Sequence, residues 1–190
     1  GSCQFIIGVG SNKWICGDSS FNIYDKDGNQ LNGASSGGFS QDDQGNLVAG
    51  TGAGAAKDAD TCFNIMIGCN SGAALNEGDN NVLIGKCSGE ALTSGNSNVL
   101  LGTGAGCNLT TAAQTVIIGA EAGRRTTSQD NSIMIGTQAG GNYFGGNGGS
   151  VMIGRGAGKG VSCNTGDRNT FIGTYAGANN CSGSFNTFIG

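Results

Sequence analysis

Eight cysteines and no histidine bound the chemistry open to this 190-residue chain. The thiols are Cys3, Cys16, Cys62, Cys69, Cys87, Cys107, Cys163 and Cys181. None pairs with another as C-x-x-C, so zinc finds no familiar ligand spacing. Without histidine, a serine or cysteine nucleophile lacks its usual base. An even count admits a disulfide framework. These cysteines fall at different phases of a repeat, however, so free, packed thiols made in a reducing compartment are the expectation. Stacked pairing, for example Cys69 with Cys87, is the alternative.

Other candidate motifs fail on spacing. Asp25, Asp27 and Asn29 alternate as in a calcium loop, but a third ligand before the glycine and a distant glutamate are missing. The same stretch, Phe21 through Leu31, reads as a hairpin turning at Asp27-Gly28. Gly154-Arg155-Gly156-Ala157-Gly158-Lys159-Gly160 approaches a phosphate loop, yet the spacing departs and residue 160 is glycine where Ser or Thr is needed. Asp42 and Asp43 lie in a polar link and read as solvated. Asn108-Leu109-Thr110 and Asn180-Cys181-Ser182 fit the glycosylation pattern, which matters only for eukaryotic secretion. The nearest approach to a basic patch is Arg124–Arg125. With net charge −4 and 12% charged residues, nucleic-acid binding is not expected. No apolar run is long enough to span a membrane as a helix. Neither catalytic residues, a cofactor nor a metal is expected, and the chain does not read as an enzyme.

The elements that would position any site are set by glycine, which supplies 39 residues against no proline. Collagen is excluded by the missing three-residue period. Short apolar runs recur, each closed by a glycine: Gly50, Gly68, Gly85, Gly102, Gly119, Gly136, Gly154, Gly173 and Gly190. Their spacings are 18, 17, 17, 17, 17, 18, 19 and 17 residues. Four residues after each of the first eight stands another: Gly54, Gly72, Gly89, Gly106, Gly123, Gly140, Gly158 and Gly177. The residue before that second glycine is always Ala or Ser. Four residues before the first glycine stands Asn, or Thr or Ser in its place. The consensus is N-φ-φ-[IL]-G-x-x-[AS]-G, with φ mostly apolar. A period of this length is the mark of a solenoid.

Within a coil, a triplet such as Val82-Leu83-Ile84 is too short for a helix and rich in β-branched residues, so it reads as a strand. The glycines mark corners. A second short strand is expected on the return, as at Ala91-Leu92, giving two strands and two turns. The expected fold is all-β: a parallel β-solenoid or β-roll of about 17-residue coils, nearest-neighbour in its contacts and spanning roughly 38 Å at the strand spacing. The recurrent Asn either forms an amide ladder from coil to coil or makes its own turn.

Alternation places the flanking strand residues on one face and the middle ones on the other. Both faces are apolar, so both need cover. The expectation puts the flanking pairs inside, opposite Leu75, Leu92 and Leu109. The middle residues, Met66, Leu83, Leu100, Ile117, Met134, Met152, Phe171 and Phe188, then form a subunit interface. Further copies around an axis parallel to the stack supply the cover, as a homotrimer; another part of a longer protein is the alternative. Residues 1–45 are expected to be a cap and link, and residues 46–190 the repeat domain. Gly1-Ser2 reads as a cloning remnant and the chain stops mid-motif at Gly190, so it reads as part of a longer protein.

Runs such as Asn169-Thr170-Phe171-Ile172-Gly173-Thr174-Tyr175-Ala176-Gly177 resemble the NTFIGxxAG repeats of tailed-bacteriophage fibres and related virion proteins, and residues 44–72 resemble marine cyanophage structural proteins. The motif is also similar to the head repeats of YadA-like trimeric adhesins, whose coils are shorter. The resemblance covers residues 46–190. It implies a trimeric fibre in the virion, made in the host cytoplasm, that positions a host-surface receptor-binding element lying elsewhere in the full protein. A bacterial cell-surface adhesin head is the alternative. An ice-binding solenoid is a further one, though Thr93, Thr110, Thr126 and Thr165 drift in phase.

Overall fold

A computed structural model of the chain describes residues 5–8, 14–17, 23–24, 41–143, 148–160, 166–180 and 182–190. The chain divides into two compact units, Gly1–Ser40 and Gln41–Gly190. In the first, Phe5–Gly8 (β1), Trp14–Gly17 (β2) and Ile23–Tyr24 (β3) form an antiparallel sheet in chain order. The turn expected at Asp27-Gly28, and with it the calcium-loop residues, lies outside the described residues.

The second unit is a parallel β-solenoid without helix among its described residues. Its strands are Leu47–Ala49 (β4), Ile65–Ile67 (β5), Val82–Ile84 (β6), Val99–Leu101 (β7), Val116–Ile118 (β8), Ile133–Ile135 (β9), Val151–Ile153 (β10), Thr170–Ile172 (β11) and Thr187–Ile189 (β12). They form a nine-stranded sheet in sequence order. Register is strict: Met66 lies beside Leu83, Leu83 beside Leu100, and Leu100 beside Ile117. Each coil therefore repeats its predecessor one strand spacing along the stack.

The two glycine series have different duties. The first takes φ between 124° and 133°, and here one coil lies directly on the next. A Cβ on Gly85 would come 2.5 Å from the carbonyl oxygen of Gly102, and one on Gly68 2.6 Å from that of Gly85. The second takes φ between 54° and 63° and bounds the core. A Cβ on Gly72 would meet Leu83 Cδ1 and Met66 Sδ, each at 2.8 Å.

That left-handed corner explains why the return half of the coil is not a strand. Instead of extending, the chain turns, and Leu75, Leu92 and Leu109 donate their N–H groups to Gly72, Gly89 and Gly106 at 3.1, 3.0 and 2.9 Å. The expected second strand is thus a series of turns. It still bonds along the stack: Ala74 N–H donates to Glu90 C=O, and Ala91 N–H to Cys107 C=O, both at 3.1 Å. Spacing between the two glycines never changes, so every extra residue of the longer coils falls between the second glycine and the next strand.

The core inverts the expected faces. Met66, Leu83, Leu100, Ile117, Met134, Met152 and Phe171 are fully buried inside the coil, where Leu75, Leu92 and Leu109 meet them. Phe188, in the last coil of the stack, continues this column, its ring stacked on Phe171 at 5.3 Å between centroids. The flanking residues point outward. The inner face is fixed by the polar residue, Asn or in its place Thr or Ser, two residues before each middle residue, since residues i and i+2 share a side of a strand. From Asn46 to Asn169 these side chains are buried within the coil, so the middle side chains follow them inward.

Candidate functional site

Two polar ladders lock the coils in register. Asn64 donates its backbone N–H and its Nδ2 to Asn46 Oδ1 at 2.9 and 3.1 Å, and Asn81 and Asn98 repeat the pattern on Asn64 and Asn81. Each amide also reaches a carbonyl across the coil: Gly78 from Asn64, Gly95 from Asn81 and Ala112 from Asn98, at 2.7–2.8 Å. Of the two readings of this Asn, the ladder is the one realised, and Asn64 adds a turn bond to Cys62 C=O at 2.9 Å. A second ladder runs along an outer turn, where Asp79 Oδ1 accepts from Cys62 N–H and Asn96 Oδ1 accepts from Asp79 N–H, both at 2.7 Å.

Asp42 starts the first ladder rather than standing solvated. Its Oδ1 accepts Asn46 N–H at 2.8 Å, the bond an Asn of a preceding coil would otherwise receive, and Lys57 Nζ lies 2.9 Å from Oδ2. Burial pushes its carboxyl up, but the bonds from Lys57 and Asn46 more than offset this and hold it below the usual value. Where hydroxyls replace the amide, at Thr115, Ser132 and Ser150, the ladder narrows. Tyr143 occupies the Leu75 column there, fully buried, with its hydroxyl 3.4 Å from Ser150 Oγ. Burial, largely, pushes its phenol above the usual range.

Outside, the strand face carries two in-register apolar columns. One is Ile65, Val82, Val99, Val116, Ile133 and Val151; the other is Ile67, Ile84, Leu101, Ile118, Ile135 and Ile153. Their side chains are partly exposed, Ile84, Ile133 and Ile153 each at 37%.

The turn face carries side chains that reach from coil to coil. Asn70 Nδ2 donates to Glu90 Oε1 at 3.1 Å, and Cys107 Sγ lies 3.5 Å from Glu90 Oε2. Burial and this carboxylate push the Cys107 thiol up to about 11 and raise that of Cys87. Cys62, Cys69, Cys87 and Cys107 are free thiols, so the pairing of Cys69 with Cys87 is not formed. These two raised thiols are poor nucleophiles near neutrality. Among the described residues, no group of three or more His, Cys, Asp or Glu is placed to hold a metal ion, and no helix is long and apolar enough to cross a membrane.

Farther along the same face, Lys159 Nζ donates to Gln138 Oε1 at 2.8 Å, Gln138 Nε2 donates to Glu121 Oε2 at 3.0 Å, and Arg124 lies 3.5 Å from Glu121. With Arg125, Gly141 and Asn142 they line a groove of about 300 Å³. The pair Arg124–Arg125 is thus joined by Lys159, the lysine of the phosphate-loop-like run. Gly154 and Gly158 of that run serve as ordinary corners. The signal for this meeting was phase: Arg124 follows Gly123, and Lys159 follows Gly158, each by one residue. Comparison with protein-family models, curated proteins and solved structures finds no match.

Proposed function

We propose that the chain is a structural shaft segment of a phage virion fibre, assembled from three copies around an axis parallel to the stack. The observation that carries the reading is the strand face. Two aliphatic columns run from β5 to β10 in strict register, and among the described residues no part of the solenoid folds over them. A stripe of this kind is covered in a stable soluble assembly, and copies of the same chain are the economical cover. The interface side chains are therefore the flanking residues, such as Ile84, Leu101 and Ile118. The virion assignment is supported by the NTFIGxxAG pattern. Light scattering tests the assembly: a mass three times the 18.8 kDa of the chain is expected, and a monomer overturns it.

Ice binding is the second reading, favoured by the in-register, mostly β-branched array on this same face. It predicts a monomer that shows thermal hysteresis, the opposite result in the same solution.

A further inference from the structure

We infer that the groove lined by Arg124, Arg125, Lys159, Gln138 and Asn142 is a binding site for an anionic saccharide, a sugar bearing a carboxylate, sulfate or phosphate. None of its residues belongs to a strand, so the site does not depend on how the strand face is covered, and the inference stands apart from the fibre assignment.

Charge comes first. The chain is net negative and holds nine Lys and Arg in all; three of them line this one groove. Glu121 is the carboxylate among the lining residues, and it is engaged by Gln138 and Arg124. The groove therefore keeps an excess of positive charge within a space of about 300 Å³. Guanidinium groups offer paired donors that match the two oxygens of a carboxylate, sulfate or phosphate.

Geometry comes second. The relay from Lys159 through Gln138 to Glu121 and Arg124 spans three coils and fixes side chains that are usually free to wander on a surface. Arg124 and Lys159 share a phase and stand two coils apart, about 10 Å at the strand spacing. Between them the intervening coil presents Gly141 and the Asn142 amide, whose Nδ2 donates to Gly160 C=O at 3.3 Å. An amide and a carboxylate beside cations suit hydroxyl groups as well as the anion, which points to a sugar rather than a bare ion. Nucleic acid is a poorer fit, because it needs a track of phosphate contacts and the cations here are confined to one groove.

Isothermal titration of the whole chain tests this with four probes: a galacturonate trimer, a sulfated galactose oligomer, glucose 6-phosphate and inorganic sulfate. At least one anionic sugar is expected to bind, at least tenfold more tightly than sulfate alone, with affinity falling as salt rises. Arg124→Gln and Lys159→Gln should each weaken that binding at least fivefold. Lys86→Gln removes the same charge from an exposed lysine outside the groove and should change it less than twofold. Circular dichroism confirms that the variants fold. Equal binding of neutral dextran, binding no tighter than sulfate, tighter binding of single-stranded DNA than of any sugar, or an equal loss in Lys86→Gln would each overturn the proposal.

Discussion

Gly85 shows how much one residue carries in this fold. Its φ of 133° lies where side chains are strained, and its α-carbon faces the Gly102 carbonyl so closely that a methyl group has nowhere to go. Gly85→Ala is expected to destabilise the stack by about 1–3 kcal/mol from backbone strain alone, with the steric clash added. Urea unfolding measures it; a loss below about 0.5 kcal/mol, the level of a neutral surface change, would refute the close-approach account. Asp42 offers a pH test with a definite sign. Its folded carboxyl titrates below the ordinary value of 3.8, so its contribution is present above that pH and is lost as pH falls through the lower folded value. Amide protection in the first coil, taken relative to the intrinsic exchange rate at each pH, should fall as pH drops below about 3.8, and Asp42→Asn should remove that acid sensitivity.

At the scale of the element, corners, strands and register were legible in the sequence, because the Gly–Gly interval repeats without error. The side chains' direction was not. Val82, Leu83 and Ile84 are all aliphatic, so hydropathy alternation gives no phase in a strand this short. The deciding residue lay just outside the triplet, since Asn81 and Leu83 share a side and only a buried site would reward the stacked amides. The return strand was misjudged for a related reason: Ala91-Leu92 is apolar, but Gly89 before it takes a left-handed conformation that ends extension. Coil modularity is testable. Deleting residues 82–98 removes 17 residues and joins Asn81 to Val99 in phase, so the shortened chain should fold with a lower unfolding enthalpy. Deleting residues 82–89 breaks the phase and should yield aggregated or unfolded protein by circular dichroism and sedimentation.

For the whole molecule, the inverted faces move the expected interface without removing the reason for one. The outer stripe is broader than a single column of middle residues would be. Ile118→Glu places a charge at mid-face and should convert a trimer to monomer in light scattering while leaving the β-sheet circular dichroism unchanged; loss of fold together with assembly would show that Ile118 supports the coil itself. The groove on the turn face was hidden from linear reading, because Arg124 and Lys159 are far apart in sequence and meet only when the period is wrapped into coils.

The bonds that join one coil to the next run along the stacking axis. In a single stack, a pull on the two ends therefore loads them a few at a time, and an end coil can peel away before its neighbours feel the force. Bending and compression are resisted by the whole cross-section; tension is not. Side-by-side stacks fused along their strand faces would have to peel together, and that fusion would convert a zipper into a cable.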